Sequence, residues 1–142
     1  MELEEILGDK YPHATLHDAK IETINLDYKN REARFKLSVC VGDPDAIEEE
    51  DRELRYSGIL ILTELVFCVI EPPDLLFYKE ECNDLIIGDD GKIDALPNKY
   101  TSSFVHLINE LKICHYFFVS NWNSFIFLGA KDAFFEWNNT CL

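Results

Sequence analysis

The chain has no apolar run long enough to cross a bilayer as a helix. Its longest, "GILILTELVFCVI" at 58–70, is thirteen residues and carries Glu64, whereas a span needs about 20 apolar positions. Glycine is scarce, at six, and nowhere clustered. That excludes the glycine-rich phosphate loop and the dinucleotide fingerprint. Neither a G-x-S-x-G elbow nor an H-E-x-x-H pair occurs, so two common catalytic signatures are missing. The five cysteines (Cys40, Cys68, Cys82, Cys114, Cys141) are odd in number, scattered and without a C-x-x-C pair. They point to reduced thiols rather than a disulfide framework. Met1 is followed by Glu2, Glu4 and Glu5, where a secretory leader would begin with cations. The expected location is the cytoplasm.

Cations are the other shortage. Thirteen Lys and Arg face 27 Asp and Glu, a net charge of −14. Such a chain repels nucleic acid and anionic membrane and attracts a basic protein. The charge is uneven. "DPDAIEEEDRE" at 43–53 holds seven acidic side chains, and the first nine residues hold four more.

What the chain has in quantity is apolar and aromatic material, 47% and 13% of its residues. That is enough for one core, and no linker, repeat or low-complexity segment divides residues 1–142. The strongest local pattern is alternation. Ile24, Leu26 and Tyr28 share one parity; after the polar turn "KNRE", Ala33, Phe35, Leu37, Val39 and Val41 do the same. Two such runs with a short connection predict an antiparallel hairpin, one face on the core and one in water. Residues 54–70 read as a strand that is apolar on both faces, covered on both or passing from the core to an oligomer interface, with a buried helix as the competing reading. "LLFYKEECNDLIIG" and "KIDAL" flank "DDG" at 89–91, which has the composition of a hairpin turn between two strands.

Over 101–112 the period changes. Phe104, Leu107, Ile108 and Leu111 follow the i, i+3, i+4, i+7 stripe of an amphipathic helix, behind the candidate caps Thr101, Ser102 and Ser103. "HYFFVS", the turn "NWN" and "SFIFLGAKDAFFEW" close the chain as strands. The expected fold is α+β, mainly antiparallel: a curled sheet, sandwich or open barrel with one main helix near 101–112.

Candidate sites are few. His13, His17 and Asp18 include an H-x3-H spacing, which on a helix would suit a metal. Pro12 and the strand that follows make the segment extended, where residues four apart lie about 13 Å from one another. Local hydrogen bonding of the turn backbone is therefore the first expectation, and a small ligand- or metal-binding domain using these three side chains is the alternative. Cys114 beside His115 would face away from it on a strand and cannot pair with it. "DPDAIE" lacks the glycine and glutamate of a calcium loop. Among aromatics, Trp122 sits in the turn "SNWNS", either packed back on the sheet or exposed as an interface anchor.

"LHDAKIETINLDYKNREARFKL" resembles the opening of a set of small, mostly bacterial, β-rich proteins. In them an "HDA" tripeptide precedes an alternating strand, a short turn and a second strand. "WNSFIFLGA" at 122–130 resembles their C-terminal strand. Some of these proteins are classed as immunity proteins of polymorphic-toxin systems. The resemblance implies a small β-rich domain and an immunity-type role, with no catalytic residue.

The leading expectation is thus a non-enzymatic binding protein without a cofactor. Asp43, Asp45, Glu48, Glu49, Glu50 and Asp51, with Trp122, would meet a basic partner. A structural homodimer through 58–70 is the third.

Overall fold

The computed structural model describes residues 2–78 and 84–138. It contains six antiparallel strands: β1 (Thr15–Asp27), β2 (Glu32–Cys40), β3 (Arg55–Ile70), β4 (Leu85–Lys92), β5 (Ile113–Val119) and β6 (Ser124–Trp137). They close into a barrel in the order β1-β2-β3-β6-β5-β4. The curled sheet expected from the sequence is therefore shut, not open.

The hairpin β1–β2 has the predicted alternation except at Tyr28, which lies beyond β1 in the turn and is exposed. Ala33, Phe35, Leu37 and Val39 are fully buried, while Arg34 and Lys36 face water. β1 is less regular, with two breaks in register against β2, between Thr15 and Lys20 and between Ile21 and Thr23. At each break two consecutive residues are exposed, His17–Asp18 and Glu22–Thr23. The first break puts four β1 residues against one of β2 and the second puts one against none; an odd excess shifts the phase by one, so the inward positions run Leu16, Ala19, Ile21, then Ile24 and Leu26.

Side chains fill the interior. Phe35 on β2 and Phe117 on β5 meet edge to face, ring centres 6.0 Å apart, amid Leu37, Leu60, Leu62, Ile87, Ile113, Val119, Ile126 and Leu128. Six strands leave room for little more than such a packed core. Gly58 faces inward on β3, and a Cβ there would collide with the ring of Phe135. A 3₁₀ turn at Leu3–Leu7 packs on β1 and β6, burying Leu3 and Leu7 in the core. The indole of Trp137 donates to the Leu7 carbonyl at 3.1 Å.

A second apolar layer lies outside. Ile93, Leu96, Tyr100, Phe104, Ile108 and Leu111 cover Cys114, Tyr116 and Phe118 of β5, Phe125 and Phe127 of β6, and Phe67 of β3. Phe67 stacks on Phe104 at 4.7 Å, in space that Gly129 leaves open. This cover is not the helix expected over 101–112. Only Asn98–Thr101 is α-helical (α2); residues from Ser102 onward form successive turns, with bonds such as Phe104 N–H to Thr101 O and Leu107 N–H to Phe104 O. Thr101, Ser102 and Ser103 compete with the helical ladder for backbone partners, and the Thr101 hydroxyl donates to Asn98 O. The stripe was a true sign of which side chains are covered, not of a continuous helix.

"DDG" is also corrected: Asp89–Gly91 lies inside β4, opposite Phe118, Phe117 and Tyr116. The Tyr116 hydroxyl donates to Asp89 at 3.1 Å, and cross-strand pairing overrides turn composition. The strand expected before it falls partly on 79–83, outside the described residues.

Leu37→Ala should cost about 2–5 kcal/mol by emptying a fully buried site. Lys36→Ala should cost within about 0.5 kcal/mol, since its pairing with Glu22 is exposed. Urea melts compare the two; equal midpoints would place Leu37 outside the core.

Candidate functional site

The acidic segment connects β2 to β3 and is held by its own backbone. Val41 N–H donates to Leu54 O at 2.9 Å, closing the loop base. At Gly42 a Cβ would strike the carbonyl oxygens of Asp51 and Arg52, so glycine permits the close return. Asp43 accepts from Asp45 N–H at 2.8 Å. Residues Glu49–Arg52 make one helical turn, α1. The Arg52 guanidinium donates to Ala46 O and Ile47 O at 2.8 and 2.9 Å.

The loop's single cation is thereby spent on carbonyls. Asp45, Glu48, Glu49, Glu50 and Asp51 are exposed and make no ion pair among the described residues. Asp43 faces His13 at 3.9 Å. Among these carboxylates Ile47 stands 93% exposed. At the same end of the barrel Tyr11 packs on Tyr56 and Trp137 at 4.8 and 4.7 Å.

Trp122 is elsewhere. It lies in the β5–β6 turn, partly buried against the core. Its carbonyl accepts from Asp74 N–H at 2.9 Å. Gly58 of β3 pairs with Trp137, while Ile70 pairs with Ile126; the acidic loop and Trp122 thus sit at opposite ends of β6. The two do not form one surface.

His13 and His17 do not converge. His13 turns to Asp43, while His17 lies 3.3 Å from Asp18. Among the described residues no three His, Cys, Asp or Glu side chains gather as a metal site. Asp18 has φ 64, a left-handed conformation that Asp tolerates better than most residues. Its carbonyl accepts from Arg55 at 2.9 Å, and Arg55 also donates to Ser38 O. Arg55 thus reaches from β3 across β2 to the bulge in β1. The "HDA" tripeptide is the bulge itself, two exposed residues followed by a fully buried Ala19. Arg55 gave no signal in the sequence, because its partners are backbone oxygens distant along the chain.

Cys114 and His115 separate as strand neighbours must. Cys114 belongs to the outer layer, and His115 alternates with it, 1% exposed. The imidazole Nδ1 accepts from Cys114 N–H at 3.0 Å. Burial, with Asp94 nearby, pushes the Cys114 thiol up to about 11, so at neutral pH it is not the thiolate a nucleophile requires. A cleft of about 300 Å³ beside it is lined by Lys92, Asp94, Ile108, Leu111 and Lys112. Lys92 and Lys112 are already paired with Glu2 and Asp132.

One carboxylate is unusual. Asp90 lies opposite Phe117 on β4, at the barrel's inner rim. Burial, then Glu4, Asp89 and Glu2, push its carboxyl up to about 6, with His17 opposing. No protein-family model matches the chain, and neither a curated protein nor a solved structure is significantly similar to it.

Asp90 makes the fold pH-dependent with a definite sign. Its folded value lies above the unfolded 3.8, so between these values the native state binds more protons and its stability falls as pH rises. Asp90→Asn should stabilise the protein at pH 7 by about 1 kcal/mol after screening, and the gain should vanish below about pH 4. Urea melts of both chains across that range check it; equal stability at pH 7 would refute the burial of this charge.

Proposed function

We propose that this chain is a non-enzymatic binding protein of the immunity type, acting in the cytoplasm, whose acidic β2–β3 loop docks a basic partner. The observation that carries the reading is the combination of order and unspent charge in residues 43–53. The backbone and Arg52 fix the loop, leaving five carboxylates exposed around Ile47. An apolar side chain inside a charged rim is common interface anatomy. The packed interior favours a surface role. The unpaired Cys40, Cys68 and Cys114 fit a reducing compartment.

Charge of this kind acts chiefly on association rate. Replacing Glu48, Glu49 and Glu50 by Gln and Asp51 by Asn should slow binding of a cationic partner, captured on the immobilised chain at low salt, by about tenfold or more. It should also flatten the salt dependence. Stopped-flow association at two ionic strengths reads both. An unchanged rate at low salt would reduce the loop to a solubilising feature.

A further inference from the structure

β3 is longer than the strand beside it. β2 covers it from Arg55 to Thr63, and the β1–β2 turn gives the last bonds: Leu65 N–H to Arg31 O at 2.8 Å, and Arg31 Nε to Leu65 O at 3.2 Å. Beyond this point β3 stays paired with β6, from Phe67 opposite Gly129 to Ile70 opposite Ile126. Its other side has no strand among the described residues. Edges of this kind template the addition of another strand.

Bulges often guard an edge, and β3 has irregularities at Glu64 (φ 49) and between Leu65 and Phe67. The first precedes the open stretch and the second lies at its start, Val66. From Phe67 to Ile70 the pairing with β6 is regular, and no Lys or Pro interrupts it before Pro72. Val66, Val69 and Ile70 are 38, 42 and 41% exposed, and Leu75 and Leu76 just beyond are 85 and 91% exposed.

Charge selects the occupant. Glu64 is exposed at one end of the edge; at the other lie the half-buried Glu71, which accepts from Phe125 N–H at 2.8 Å, and Asp74, which accepts from Leu76 N–H at 3.0 Å. Arg31 at this corner donates to Leu65 O and keeps its charge, one cation against the three carboxylates. A second copy would bring the same carboxylates and another −14 charges. We infer that the Val66–Ile70 edge of β3 receives an extended segment of a partner protein, alternating Lys or Arg with apolar residues, as an added antiparallel or parallel strand. Main-chain bonds would supply the pairing, Val66 and Val69 the apolar contact, and Glu64 the ionic end. This surface lies away from the acidic loop and does not depend on it.

The probe is the capped peptide KVKVKVK, with EVEVEVE as its counterpart, added to the full chain. Hydrogen exchange read residue by residue should show new protection among Val66–Ile70 with the lysine peptide. The glutamate peptide should bind at least about tenfold more weakly. Val69→Lys, at an exposed position, should abolish the protection, and the Gln/Asn loop variant should retain it. The exchange measurement on the unaltered chain decides the matter even if Val69→Lys fails to fold. Protection confined to 43–53, equal binding of the two peptides, or a concentration-dependent dimer lost in Val69→Lys would each overturn the proposal.

Discussion

Closure of the barrel depends on a short seam. Among the described residues β1 and β4 share two pairs, Lys20 with Ile86 and Ile21 with Leu85, while β2–β3 and β3–β6 pair along nine and eleven positions. A sheet edge left open over Leu16–Ala19 would expose both backbone donors and the core. The chain covers the gap with its own N-terminal turn. Leu3 and Leu7 enter the core, and the Glu4 carboxylate accepts from Leu16 N–H at 3.3 Å. The same device crowds acids: burial first, and then Glu4, Asp89 and Glu2, raise the Asp90 carboxyl.

The seam also explains the bulges in β1. A strand that must pair with β2 throughout but with β4 only briefly has to bend, and bulges bend strands while increasing twist. The sequence carried this in its phase. Leu16, Ala19 and Ile21 lead to Ile24 and Leu26, with steps of three where a regular strand has two. The hairpin β1–β2 was legible because parity decides which face is buried, and a slip would bury Lys36 and Arg34. Closure was not legible. Whether a sheet curls shut depends on strand tilt and on pairs between residues as distant as Ile21 and Leu85, which local periodicity does not encode.

The outer layer shows the opposite failure. Phe104, Ile108 and Leu111 were identified as covered, and they are, yet the backbone beneath them is a series of turns. A short helix gains little from propensity alone and takes its stability from packing. Here the packing partner is an aromatic surface of Phe67, Phe125 and Phe127, which turns can match as well as a helix. Composition misled in the same way at Asp89–Gly91, where Tyr116 recruits an apparent turn residue into the ladder. Of the candidate site, the loop's charge was legible; the separation of Trp122 from it was not, because it follows from the direction of β6.

These constraints bear on where the protein acts. The interior is occupied by Phe35, Phe117 and their neighbours, and the strand-borne Cys114 and His115 are divided between two faces. Chemistry that requires a desolvated pocket has little room there. The polar groups at the rim are mostly employed in holding the fold: Arg55 on the bulge, Glu4 on the seam, Asn121 on Ile86 N–H and Asp84 O. Among the described residues, internal contacts leave open the carboxylates around Ile47 and the outer backbone edge of β3 beside Glu64. Both present negative charge beside apolar surface, at different ends of the same barrel. An isolated charge run is adequately explained by solvation. Charge adjoining exposed apolar groups is not, because water gains nothing from Ile47 or Val69 in the open, and on this arrangement the proposed contact with a cationic partner rests.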